Sequence, residues 1–255
     1  MHTYDRNYFK IALPAALEGL FMILLASTDL IMVGALGALS IAAVSIFMQP
    51  RLILLCFSRS LASSVTLLVS KMAGAGDTNG TADIMKKSLT LCAIFMGLLH
   101  ILFYIFLDDI FYLMGANDEY MAEAMAYGPI ALAAVYVTSL TLILQAVQLG
   151  YGRTSVIMKT NVCGNVVNLA LNALLIFGFG PIPSLGVTGA AIGTLASTIF
   201  TLGWTAWILK NESFFSGGSY LPDRAYFHRI MPILLSILSE QGSERVGMVL
   251  FSRMA

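Results

Sequence analysis

An all-α fold, built from helices that cross a bilayer, is what this sequence predicts, and three observations predict it. Hydrophobic residues make up 58% of the chain and charged residues 11%, against about 25% charged in ordinary soluble domains. The apolar residues fall in long blocks separated by short polar clusters. Between those blocks, Lys and Arg occupy alternate connections only. Formal net charge is zero, so there is no electrostatic case for nucleic acid as a partner.

The first block, 11–36, exceeds the roughly 20 apolar residues that span a bilayer. It follows a short stretch of mixed charge and is too long for the apolar core of a cleaved signal, so it reads as a retained helix. The second, 40–70, contains a break expected near Gln49-Pro50. The third covers 84–107, the fourth 125–149, the fifth 155–177 and the sixth 186–209, and a seventh begins near His228. This divides the chain into a six-helix lobe (1–210), a linker (211–227) and the start of a second lobe (228–255).

Orientation comes from the basic residues. Arg6 and Lys10 precede the first block, and Lys71, Lys86 and Lys87 flank the second–third connection. Arg153 and Lys159 mark the fourth–fifth, and Lys210, Arg224 and Arg229 the sixth–seventh. Connections 37–39, 108–124 and 178–185 contain no Lys or Arg, and the middle one carries five acids instead. The positive-inside rule then predicts a multi-pass protein of the cell membrane with a cytoplasmic N-terminus. The seventh block opens HRIMPILLSILSE and the first FKIALPAALEG, each with a basic or imidazole residue four before a Pro. Repeated halves are how many transporters are built, and the expectation is one half of a protein about twice as long, its second lobe still to follow.

The candidate chemistry lies in carboxylates and carboxamides inside apolar helices. Asp29 and Glu18 interrupt the first block. An ionised group at that depth costs about 2.5–3.5 kcal/mol and usually faces a bundle interior or a watery cavity. The two acids are separated by about 20° of helical rotation and share a face with Met22. In the fifth block, Asn161, Asn165, Asn168 and Asn172 recur at helical spacing and form a polar stripe, suited to interhelical hydrogen bonding or to a cavity wall. Asn172 lies about 20 Å along its helix from Lys159, Thr194 about 24 Å from Lys210, and Asp29 about 28 Å from Lys10. All three therefore fall in the outer half of the membrane, where one carboxylate and several neutral oxygens suit Na⁺ or, with the carboxylate protonated, H⁺. No cofactor beyond that coupling ion is expected.

Other polar residues read more plainly. Arg51 is expected near an interface and Arg59 beside a carboxylate, while His100 reads as a hydrogen-bonded packing residue. Gln145 and Gln148 are cavity candidates. Gly189, Gly193 and Ser197 form a small-residue series for close helix packing. The stretch AGAGDTNG misses the G-x-G-x-x-G spacing and follows no strand, so it is a turn. Cys56, Cys92 and Cys163 are scattered through apolar blocks and suit neither a disulfide framework nor a zinc site.

Taken in order, several stretches resemble one family. They are STDLIMVGALG in the first helix, SKMAGAGD after the second and YLMGANDEYMAEAMAYGPI into the fourth. QLGYGRT, NLALNALLIFG and PSLGVTGAAIGT follow. The chain is identified by them as similar to the multidrug and toxic compound extrusion (MATE) transporters of the multidrug/oligosaccharidyl-lipid/polysaccharide exporter superfamily. The resemblance implies two six-helix lobes around a cleft that opens alternately to each side. It implies export of small organic, often cationic, compounds in exchange for Na⁺ or H⁺, and no enzymatic activity. It makes Asp29 the coupling residue, with Asn168, Asn172 and Thr194 around it. Some members carry Asp where this chain has Asn172, and Glu240, eight residues after Pro232, matches a seventh-helix Glu of part of the family. Glu18, Met22, Asn161, Asn165, Gln145 and Glu240 are the expected cleft residues. Two other functions make different demands on the sequence. A lipid-linked oligosaccharide flippase of the same superfamily calls for a strongly basic cleft. An intramembrane protease calls for a G-x-S-x-G turn, and the sequence has none.

Overall fold

The computed structural model describes residues 3–181, 183–212 and 214–254, excluding the side chains of 3–12, 14, 15, 18, 22, 25, 26 and 244–254. Among the described residues there are nine helices: α1 (Thr3–Gly34), α2 (Ala38–Ile46), α3 (Met48–Gly74), α4 (Thr78–Ile105), α5 (Leu107–Leu113), α6 (Asp118–Gly150), α7 (Thr154–Phe177), α8 (Gly186–Asn211) and α9 (Arg224–Met254). Five stretches are long and apolar enough to cross a membrane: α2 with α3, α4, α6, α7 and α8. The outward faces carry large apolar side chains such as Ile31, Leu98 and Trp207. This is a multi-pass membrane protein.

Turn chemistry sets the helix ends. Gly37 reverses the chain after α1 at φ 125°, a value that side-chain-bearing residues rarely adopt. AGAGDTNG is indeed a turn, with Gly76 at φ 71°. Asp77 caps α4 by accepting from the Gly80 N–H at 2.8 Å. The break in the second span falls at Phe47, two residues before Gln49. Pro50 has no N–H to give the Ile46 carbonyl, so the ladder fails one turn upstream of the proline, which itself sits harmlessly in the first turn of α3.

One stretch differs from expectation. The connection 108–124 is not a loop: it holds most of α5 and the first two turns of α6. Asn117 caps α6 through the Glu119 N–H at 3.2 Å, and the acids Asp118 and Glu119 occupy its first turn, where the helix dipole favours them. Polarity marks where a helix leaves the membrane, not where it ends.

Helix α6 is the centre of the bundle and packs on α2, α3, α4, α5, α7 and α8. Lipid is as apolar as leucine, so close packing rather than water exclusion holds such helices together. Small residues make the approach possible. A Cβ on Gly189 would lie 2.5 Å from the Leu175 carbonyl oxygen, and one on Gly150 would lie 2.6 Å from a Val69 methyl. Leu107 and Phe111 of α5 close over Gly128 in the same way.

The segment between α8 and α9 lies against α4. Lys86 Nζ donates to the Gly217 carbonyl at 2.5 Å, and Lys87 Nζ pairs with Asp83 at 2.6 Å and Asp223 at 2.7 Å. The Ser219 N–H donates to Asp83 at 3.0 Å. The Tyr226 hydroxyl is buried against Ser88 Oγ at 2.9 Å. From there α9 packs along α3.

Candidate functional site

Helices α1, α7 and α8 bring together four of the residues singled out from the sequence. Asn168 and Asn172 lie one turn apart on α7, 8% and 2% exposed, and face α1 and α8. Asn172 Nδ2 donates to Asp29 Oδ1 at 3.0 Å and to Asn168 Oδ1 at 3.3 Å. Asn168 Nδ2 donates in turn to Thr194 Oγ1 at 3.3 Å, whose hydroxyl is anchored on the Ala190 carbonyl at 2.9 Å. Turned over, the Asn168 carboxamide donates to both Asp29 oxygens, at 3.2 and 3.0 Å, and accepts from the Thr194 N–H at 3.3 Å. The two orientations interchange nitrogen and oxygen at one position, and the hydrogen-bond network decides between them.

Asp29 is half-buried and has no Lys, Arg or His within ion-pair distance among the described residues. Its carboxylate is held by amide N–H groups, which supply charge-assisted hydrogen bonds without cancelling the charge. Asn172 Oδ1 is buried without a partner, and leaving such an acceptor unsatisfied costs about 1–3 kcal/mol. It rests against Gly193, where any Cβ would collide with it. The small-residue series on α8 thus makes room for the carboxamide as well as for the helix.

The donor set fits a hard monovalent cation. A carboxylate, two amide oxygens and a hydroxyl are the ligands such an ion takes, and the two amides deliver oxygen in place of nitrogen by rotating. Among the described residues no group of three His, Cys, Asp or Glu side chains stands ready for a transition metal.

The remaining predicted residues divide. The side chains of Glu18 and Met22 lie outside the described residues. Asn161 accepts from Gln145 Nε2 on α6 at 2.6 Å, so the lower part of the Asn stripe joins two helices while its upper part meets Asp29. Asn165 is part-buried between these two pairs on α7. Glu240 is exposed on α9, away from α1, α7 and α8. His100 packs as expected, with Nδ1 2.7 Å from the Met96 carbonyl oxygen and its ring 5.5 Å from that of Tyr136. Gln148 Nε2 donates to Glu212 at 3.1 Å, and Glu212 also pairs with Arg153 at 2.5 Å. All three cysteines are free.

One residue escaped the sequence reading. Tyr127 of α6 stands edge-on to Phe47, which separates α2 from α3, with ring centroids 5.9 Å apart. Tyr127 stands inside one of the family-like stretches, yet nothing in its spacing announces that contact.

A family model, MatE, matches residues 14–174, more than half of the chain. The chain belongs to the MatE family. The match covers Asp29, Asn168 and Asn172 and ends before Thr194. Among similar proteins, a "Probable multidrug resistance protein NorM" of Rhizobium meliloti is 26% identical over 82% of this chain and 45% of its own length. An "FAD transporter" of Shewanella oneidensis is 27% identical over 80% and 45%. A MatE-type fold is also evident in solved structures. A MATE protein crystallised with MaL6 superposes with a TM-score of 0.86 at 24% identity, over 98% of this chain and 55% of that one. A multidrug/oligosaccharidyl-lipid/polysaccharide superfamily transporter from Pyrococcus furiosus, described by its reversed pocket polarity, gives 0.84 at 24% identity over 95% and 54%. The chain spans about half the length of the curated relatives it matches.

Proposed function

We propose that this chain forms the first lobe of a cation-coupled exporter of small organic compounds, with Asp29 as the residue that binds and releases the coupling ion. The observation that carries the reading is a half-buried carboxylate, inside an apolar helix bundle, whose hydrogen-bond partner is a neutral amide. Its charge is satisfied only in part, so a cation entering between α1, α7 and α8 changes the local electrostatics by a full unit. A charge change at that depth biases one helix arrangement over another, which is the requirement for alternating access. Na⁺ suits the site through the oxygens of Asn168, Asn172 and Thr194, and a proton serves Asp29 alone.

The cargo is a small organic molecule. The names of similar proteins include multidrug resistance and FAD transport, and both belong with a large cleft between two lobes. The second lobe completes that cleft, so the path requires a full-length chain. Lys71, Lys86, Lys87, Arg153 and Lys210 gather at the α3–α4, α6–α7 and α8–α9 connections, which supports a cytoplasmic N-terminus in the cell membrane.

The test is dye efflux by the full-length protein in vesicles with imposed Na⁺ or proton gradients. Asp29→Asn is expected to abolish gradient-driven efflux. Efflux at the native rate in that variant removes Asp29 from the mechanism.

A further inference from the structure

On each of the three helices that carry the Asp29 site, the next turn toward the α1–α2 end of the bundle is apolar. Val33 follows Asp29 by four residues, Ile176 follows Asn172 by four, and Ala190 precedes Thr194 by four on α8, which runs the other way. The Thr194 hydroxyl donates to the Ala190 carbonyl at 2.9 Å, which ties site and apolar turn together. Val33, Ile176 and Ala190 pack as one cluster, 4%, 0% and 4% exposed, with Met32 and Val44 against it. Because α7 packs along both α1 and α8, the cluster closes the space where all three helices meet.

The two sides of this layer differ. Beyond it, at the α1–α2 end, lies an open pocket of about 330 Å³ whose lining includes Leu36, Glu123 and Val187. Leu36 and Val187 stand three residues from Val33 and Ala190. Ser40 Oγ donates to the Glu123 carboxylate at 2.7 Å, and an acid there is no barrier to a cation. Asp29 lies only about 10 Å from Leu36 along α1. On the other side of the layer the same helix faces are polar, with Asn168 and Asn165 on α7 and Thr198 one turn from Thr194 on α8. We propose that Val33, Ile176 and Ala190 form a dry seal between the Asp29 site and the pocket at Glu123, so that the coupling ion reaches and leaves Asp29 only from the polar side. An ion crossing the layer sheds its water and finds no oxygen in exchange, which is how an apolar constriction stops ions. Exchange transport demands such a seal. An ion free to run from the pocket through Asp29 to the polar side dissipates its gradient without moving cargo. This inference rests on the role given to Asp29 above.

The experiment uses the full-length protein in phospholipid vesicles without cargo, and reads Na⁺ entry and proton entry separately down imposed gradients. Val33→Thr keeps the shape of valine and adds a hydroxyl, and Ile176→Thr does the same with one methyl group fewer. The pair is expected to raise cargo-free ion entry by at least about tenfold. Ile176→Leu, apolar and of equal volume, is expected to stay at the native rate. Asp29→Asn added to the pair is expected to return entry to the native rate, because the opened path leads through the site. Unfolding temperatures show that each variant is folded, and where the pair does not fold, Val33→Thr alone carries the test. Native entry in the folded pair, or in Val33→Thr alone where the pair does not fold, overturns the seal. So does raised entry that survives Asp29→Asn, or entry in Ile176→Leu as fast as in Ile176→Thr. Each of these leaves Asp29 in place as long as Asp29→Asn by itself abolishes gradient-driven efflux. Native efflux in that single variant overturns both readings.

Discussion

Asn172 is the residue on which the character of the proposed ion site turns. As an amide it donates to Asp29 at 3.0 Å, and so it stabilises an ionised carboxylate. An acid there would place two carboxylates within hydrogen-bond distance, and both stay ionised only with a cation between them. Asn172→Asp is therefore expected to tighten Na⁺ binding by at least about tenfold, read from the Na⁺-dependent unfolding temperature. Unchanged affinity would mean that Asn172 only braces α7. Gly193 is tested in the same assay. A methyl group at that position collides with Asn172 Oδ1, and overpacking of this kind costs about 1–3 kcal/mol. Gly193→Ala is expected to lower the unfolding temperature and blunt the Na⁺ response, whereas Gly203→Ala, where a Cβ meets open space, is expected to do neither.

At the scale of elements, the segment between α8 and α9 is tied to α4 by hydrogen bonds and an ion pair. Lys87 is the knot, reaching both Asp83 and Asp223. The Lys87 ammonium, and after it the Tyr226 backbone N–H, hold the Asp223 carboxyl below its usual range. The sign follows. A carboxyl depressed in the folded state stabilises the fold above its unfolded value of about 3.9, and that contribution disappears as pH falls through the lower folded value. Asp223→Asn is expected to unfold at a lower temperature than native protein at neutral pH. The difference should begin to close below about pH 3.9 and vanish once the native carboxyl is protonated. A gap that persists at the lowest pH would show that the loss comes from elsewhere. Limited proteolysis supplies an independent check, with faster cleavage near Gly217-Gly218 in the variant.

For the whole molecule, the described helices form one packed bundle centred on α6, with apolar residues facing outward. The relatives are about twice this length, and in the function proposed above the bundle forms one side of a cleft. Residues 1–255 expressed alone are expected to bind Na⁺ at Asp29, because the four site residues all lie on α1, α7 and α8, and to give no efflux. Efflux by that half, measured in the same vesicles, would contradict a path shared between two lobes.

The second to sixth spans were legible because lipid imposes a simple rule: uninterrupted apolar length, punctuated by Gly and capping residues such as Gly37, Gly76 and Asp77. Depth along each helix is legible too, and it groups Asp29, Asn172 and Thr194 without any knowledge of their neighbours. Helix periodicity reports which side chains share a face, but not which helix that face meets. So the Asn stripe looked uniform, and only packing divided it between Gln145 on α6 and Asp29 on α1. The same limit hid the packing of Tyr127 against Phe47 and the docking of Lys86 and Lys87 onto the segment between α8 and α9. In physical terms, the sequence by itself determined where the chain leaves water and which polar groups it carries inside. The tertiary structure alone decided which of those groups satisfy one another, because hydrogen bonds form across distances set by helix packing and not by separation along the chain.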